Sequence, residues 1–101
     1  LTLVLLSADG PLSVYAVPDI VAENLHEYCL EFCNEWIHTS EHAQKLLHPS
    51  GCVCYDEKDF VDYLNAWIFP DDPSVLIETL PADDTQPDVP EKYSDLEWFN
   101  F

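Results

Sequence analysis

The sequence predicts an α+β fold: a small, mainly antiparallel sheet, an N-terminal hairpin plus a later strand, covered by two main helices. Three observations carry this. Two apolar stretches, LTLVLL and LSVYAV, flank the turn-forming run SADGP, which is the pattern of a β-hairpin. Residues 17–40 and 56–68 carry their apolar side chains at helical spacing. Between that second helix and a proline-rich end lies SVLIETL, a third strand. At 101 residues there is room for one domain. It is expected over 1–80, with 81–101 an acidic, Pro-rich, irregular tail ending in aromatics.

Taken in order, residues 1–6 are almost continuously apolar, which suits a central strand. The run has no basic flank and is too short for a signal peptide. In the turn, Gly10 is free to take positive φ. Residues 12–17 alternate and pair back. The long helix over 17–40 follows. Pro18 suits its first turn, and Asp19 and Glu23 favour the positive end of its dipole. Val21, Leu25, Tyr28, Cys29, Phe32, Cys33 and Trp36 form one side, and Glu23, Glu27, Glu31 and Glu35 the other.

A short helix over 40–47, capped by Ser40 or Thr39, is broken by His48-Pro49-Ser50-Gly51. Residues 52–55 are extended. Asp56 caps the next helix, whose first turn is acidic; Phe60, Tyr63, Leu64, Trp67 and Ile68 are its apolar side, and Pro70-Asp71-Asp72-Pro73 ends it. The expected core is Leu3, Leu5, Val14, Ala16, Leu25, Phe32, Trp36, Phe60, Leu64, Trp67, Val75 and Ile77.

The net charge is −17, with no Arg and only Lys45, Lys58 and Lys92 as cations. That argues against direct contact with nucleic acid or an anionic membrane, both of which need cationic side chains. It favours a basic partner surface. Three Trp, five Tyr and five Phe exclude a wholly disordered acidic chain.

The glutamate row is the most unusual feature. Like charges at i,i+4 destabilise a helix by roughly 0.2–0.5 kcal/mol per pair, and no Lys or Arg lies within 17–40 to relieve them. On a straight helix the four carboxylates would make a ridge about 18 Å long. Such a ridge could bind a basic protein surface, in the manner of a nucleic-acid mimic. The plainer interpretation is a solvated helix face.

The remaining constellations are weaker. Cys29, Cys33, Cys52 and Cys54 could converge on zinc, with His26 or His48 as an alternative ligand, but there is no CxxC knuckle and buried core thiols explain them as well. The paired acids Asp71-Asp72 and Asp83-Asp84 do not follow a calcium-loop pattern. With Gly10 and Gly51 the only glycines, there is no phosphate loop, and neither a nucleophile elbow nor HExxH occurs. The expectation is therefore a non-enzymatic interaction module without a cofactor. Zinc binding through the cysteines and a small enzyme of carboxylate or cysteine chemistry are its alternatives. The cysteines have no familiar disulfide spacing, which fits a cytoplasmic protein. Trp98, Phe99 and Phe101 could seal a homodimer.

The segments LLSADGPLSVYAVPD, CLEFCNEWI and YDEKDFVDYLNAWIFPDDPSVLIE resemble small uncharacterised acidic proteins encoded in gut-associated Firmicutes, often near mobile-element genes. The resemblance covers most of 1–80. It implies a cytoplasmic bacterial protein and favours partner binding in mobile-element biology. It implies no activity and no site residues.

Overall fold

The computed structural model describes residues 1–41, 43, 55–80 and 90–101. Lys45, His48, Cys52 and Cys54, most of the expected 40–47 helix and the first part of the tail lie outside the described residues.

Four strands form one sheet: β1 (Thr2–Ser7), β2 (Ser13–Val17), β3 (Val75–Thr79) and β4 (Trp98–Asn100), in the order β3-β2-β1-β4. β1 pairs antiparallel with β2, Leu3 opposite Ala16 and Leu5 opposite Val14, and β2 pairs antiparallel with β3. β4 lies parallel to β1, Leu5 beside Trp98 and Leu6 beside Phe99. The fold is thus α+β with a mainly antiparallel sheet. The last strand is the addition: residues 98–100, expected in an irregular tail, complete the sheet. In the hairpin turn it is Asp9, not Gly10, that takes the left-handed conformation, at φ 56°. Aspartate tolerates that region because its short polar side chain bonds locally.

The near-continuous apolar run of β1 is explained by burial on both faces. Val4, Leu6, Tyr15 and Val17 point into the main core with the helices. Leu5 and Val14 point the other way, against Leu80 and Tyr93, with Leu3, Leu12 and Leu96 packed around them. That second layer comes from the chain end: Glu91–Tyr93 makes one 3₁₀ turn, and the Tyr93 hydroxyl donates to Glu78 at 2.7 Å.

The helical layer begins with α1 (Asp19–Glu23), which stops at Asn24 (φ −129°, ψ 35°). α2 opens as Leu25–Leu30, widens into a π-helical stretch over Glu31–Trp36 and closes with Ile37–Thr39. The expected single helix over 17–40 is therefore broken near its start and over-wide near its end. α3 runs Glu57–Tyr63 and continues as a second π-helical stretch, Leu64–Ile68. Its N-cap is Asp56, as expected: the Asp56 carboxylate accepts from the Lys58 and Asp59 amides at 3.0 and 3.1 Å, and Asp59 Oδ2 accepts from the Asp56 amide at 3.0 Å.

The wide turns decide which side chains go inside. In a π turn the residue five places on, not four, returns to the same face. Buried Phe32 is followed in that way by buried Ile37, whose amide donates to the Phe32 carbonyl. Buried Leu64 is followed by Phe69, whose amide donates to the Leu64 carbonyl at 2.7 Å. Trp67, expected in the core, is instead half exposed. Val75 and Ile77, also expected in the core, are about half exposed because β3 sits at the sheet edge. Leu3 and Trp36 pack at the core margins rather than inside it.

Phe32 is the centre of the main core. Its ring lies 5.3–5.9 Å from those of Trp36, Tyr55, Phe60, Tyr63 and Phe101. Phe99 and Phe101 belong to this aromatic cluster, 4.7 Å apart. Of the three aromatics expected to offer a dimer surface, only Trp98, at 67 % exposure, points outward.

Candidate functional site

The acidic face is built by α1 and α2. Glu23, Glu27, Glu31 and Glu35 are all exposed. Their backbones are anchored from behind by Val21, Leu25, Cys29 and Phe32, all buried. Burying each large apolar side chain contributes about 1.5–3 kcal/mol, which outweighs the repulsion along the row. Among the described residues no cation pairs with any of the four. Lys92 sits 3.8 Å from Glu78, on the far side of the sheet from the helices, and Lys58 lines a separate small cleft of about 170 Å³.

The row is not the even ridge a straight helix would give. Asn24 interrupts it after Glu23, and the wide turn starting at Glu31 changes the repeat before Glu35. The structure groups Glu27 with Glu31. These two border a cleft of about 410 Å³ with Asn24 and Tyr28 on one side and Tyr63 and Ile68, from α3, on the other. Glu23 and Glu35 lie outside it.

Within the cleft, Tyr63 is set by its ring. Tilted ring contacts with Phe32, Trp36 and Phe60 hold it 3 % exposed where it lines the cleft. Burial raises its pKa from the usual phenol value, and the Glu31 carboxylate and Tyr28 raise it further, since all three disfavour a phenolate. Tyr28 leans on Phe69 at 6.1 Å between ring centres. Asn24 Nδ2 donates to the Ile20 carbonyl at 3.0 Å, so its Oδ1 is left as an acceptor. Carboxylates, phenol oxygens and an amide oxygen line this cleft. The arrangement accepts hydrogen bonds and attracts positive charge.

Tyr63, Asn24 and Ile68 are not visible as site residues in the sequence, where Tyr63 and Ile68 fall on the apolar side of a helix. The only signal is indirect: a tyrosine on an apolar stripe must place its hydroxyl at a polar edge.

Of the four cysteines, Cys29 and Cys33 are among the described residues. Cys29 is fully buried in the main core, and burial, reinforced by Cys33, pushes its thiol pKa far up. Cys33 is half-buried at the surface of α2, with weak contacts from Sγ to the Leu30 carbonyl at 4.0 Å and to Asn34 Oδ1 at 3.9 Å. Neither is in a disulfide. Cys52 and Cys54 are outside the described residues. Among the described residues no three His, Cys, Asp or Glu side chains stand close enough to hold a metal ion. His26 packs against Phe99 at 5.5 Å. No helix among the described residues is long and apolar enough to cross a membrane.

No family model matches the chain, and neither the curated proteins nor the solved structures contain a significant match to it.

Proposed function

We propose that this chain is a non-enzymatic interaction module that presents the α1–α2 glutamates to a basic surface on another protein. The observation that carries this is the row itself: Glu23, Glu27, Glu31 and Glu35 are exposed, and no described lysine neutralises them. Such a face raises the local concentration of a cationic partner and speeds its approach. The interrupted spacing supports recognition of a basic protein surface more than close imitation of a phosphate backbone, which repeats evenly. A cytoplasmic setting fits the unpaired Cys29 and Cys33 thiols.

The test separates the face from the net charge. Titration with a lysine- and arginine-rich peptide is compared for the Glu27→Lys/Glu31→Lys variant and for a Glu91→Lys/Glu97→Lys control of identical net charge; all four positions are exposed. The proposal expects binding by the wild type that weakens with salt, since exposed charges are screened within about 10 Å at 0.1 M. It expects the first variant to lose at least about tenfold, or roughly 1.4 kcal/mol, and the control to lose much less. Equal losses, or binding indifferent to salt, reject it.

A further inference from the structure

The cleft between α2 and α3 is lined by a tyrosine whose hydroxyl no described residue pairs. Tyr63 is 3 % exposed, yet its hydroxyl has no hydrogen-bond partner among the described residues. The oxygen is not sealed in, since among the described residues only Ser74 Oγ is both fully buried and unpartnered; it reaches solvent, where water or a ligand makes its bond. The surroundings define the ligand. Glu27 and Glu31 carry the charge, Tyr28, Tyr63 and Asn24 add acceptor oxygens, and Ile68 adds an apolar wall. Among the described residues no cationic side chain lines the cleft. The occupant must therefore be a cation with several N–H donors and a flat or apolar body. A bare metal ion fits poorly, because the acidic side chains do not come together at coordination distance.

We propose that this cleft is a socket for an arginine side chain of the basic partner, with the guanidinium between Glu27 and Glu31 and one of its N–H groups on the Tyr63 hydroxyl oxygen. Guanidinium presents five donors in a rigid plane, forks onto carboxylates, and rests on aromatic rings with little loss of hydration. A lysine ammonium is compact and strongly hydrated, and it cannot reach the carboxylates and the phenol together in one plane. The cleft volume of about 410 Å³ lies within the range of pockets that take small organic groups. The socket rests on the proposed acidic interaction face and supplies its selectivity.

The experiment uses the full chain, isotopically labelled, and two octapeptides, one alternating arginine with glycine and one alternating lysine with glycine. Amide shifts on titration give the affinity and the location. The socket expects the arginine peptide to bind about tenfold tighter, the worth of one added hydrogen bond to a charged group, with the largest shifts around Tyr28, Tyr63 and Ile68. Tyr63→Phe, which keeps the ring and removes only the hydroxyl, should erase most of that preference. Glu31→Gln, at an exposed position that the fold does not need, should do the same. Glu23→Gln/Glu35→Gln should weaken both peptides alike and leave the ratio intact. Equal affinity for the two peptides, or a ratio unchanged by Tyr63→Phe, overturns the socket while leaving the acidic face standing. Arginine-peptide binding that keeps its full strength without Glu23 and Glu35 upholds the socket and rejects the wider face. Failure of both peptides to bind rejects both.

Discussion

Asp9 and Asn100 bind each other twice across the whole length of the chain. The Asp9 amide donates to Asn100 Oδ1 at 2.8 Å, and Asn100 Nδ2 donates to Asp9 Oδ1 at 2.9 Å. Ser7 Oγ adds a third bond to Asn100 Oδ1 at 3.0 Å. One amide side chain on β4 therefore holds the left-handed turn of the first hairpin and fastens the chain end to β1. Asn100→Ala should destabilise the fold by about 0.5–1.5 kcal/mol, the net worth of an intramolecular hydrogen bond, because two of the three bonds are exposed and water replaces them. Urea denaturation at neutral pH measures this. Asn100→Asp is the sharper test. Its carboxylate can still accept from the Asp9 amide but then faces the Asp9 carboxylate, so its loss should be greatest at neutral pH and shrink in acid.

The ring cluster concentrates stability in Phe32. Five aromatic rings surround it, drawn from α2, α3, the segment at Tyr55 and the chain end. Phe32→Ala should cost about 3–5 kcal/mol. A domain of this size has about 5–15 kcal/mol in all, so the variant should be largely or partly unfolded at 37 °C by near-ultraviolet circular dichroism. Phe32→Leu should be far milder. Equal stability of Phe32→Ala and the wild type would mean that the rings do not share one core.

What is legible in the sequence follows local rules. The hairpin, the later strand, the Asp56 cap and the apolar stripe through Leu25 and Phe32 each depend on neighbours in sequence, and each is present. The misplaced residues depend on remote ones. α-Helical periodicity puts Trp67 in the core, and the π turn that faces Phe69 inward instead leaves no local mark. Val75 and Ile77 have every strand propensity, but exposure depends on position in the sheet, which pairing across the fold decides. The role of β4 needs Asn100 to find Asp9. The candidate site divides in the same way: its charges stand at regular spacing in α1 and α2, whereas the cleft exists only because Tyr63 and Ile68 come across from α3.

Trp98 and Phe101 should separate cleanly in mutagenesis. Trp98 is mostly exposed, whereas Phe101 packs on Phe60 at 5.3 Å and its amide donates to the Ser7 carbonyl at 2.9 Å. Trp98→Ser should change stability by no more than about 0.5 kcal/mol, as for surface positions generally. Phe101→Ser should cost several-fold more. Sedimentation of the wild type and Trp98→Ser tests the outward face directly: a homodimer held by Trp98 would dissociate in the variant without unfolding.

Asp59 gives the fold a pH dependence of predictable sign. Burial raises its pKa above the usual aspartate value, and the nearby Asp56 and Asp62 carboxylates raise it further, against the lowering effect of its bond from the Asp56 amide. A folded-state pKa above the unfolded one means that the folded chain holds its proton longer. Stability from this group is then present below the unfolded value of about 3.8 and is lost as pH rises through the folded one. Asp59→Asn keeps an acceptor for the Asp56 amide and removes the charge. Its stability relative to the wild type should be near parity in strong acid and should improve as pH rises past the ordinary aspartate range, then level off. Chemical denaturation at a series of pH values checks this. An advantage that grows toward low pH would show that the surroundings stabilise the Asp59 carboxylate, and that desolvation does not dominate its titration.

Cys29 and Cys33 stand one turn apart and should react in opposite ways. Cys29 is fully buried, and its thiol is pushed far above the ordinary cysteine range, so neither access nor thiolate is available. Cys33 is half-buried at the helix surface, beside Tyr55, whose pKa burial and Cys33 both raise. In a Cys52→Ser/Cys54→Ser background, iodoacetamide should alkylate Cys33 on the native protein. Cys29 should react only after denaturant is added. Mass spectrometry of peptides from the two states reads the order directly. Because Cys29 reports the opening of the main core, its labelling rate in Phe32→Ala should rise steeply at low denaturant, while the Cys33 rate changes little. Prompt labelling of Cys29 in the folded wild type would contradict the packing of α2 against the sheet through Val4, Leu6 and Val17.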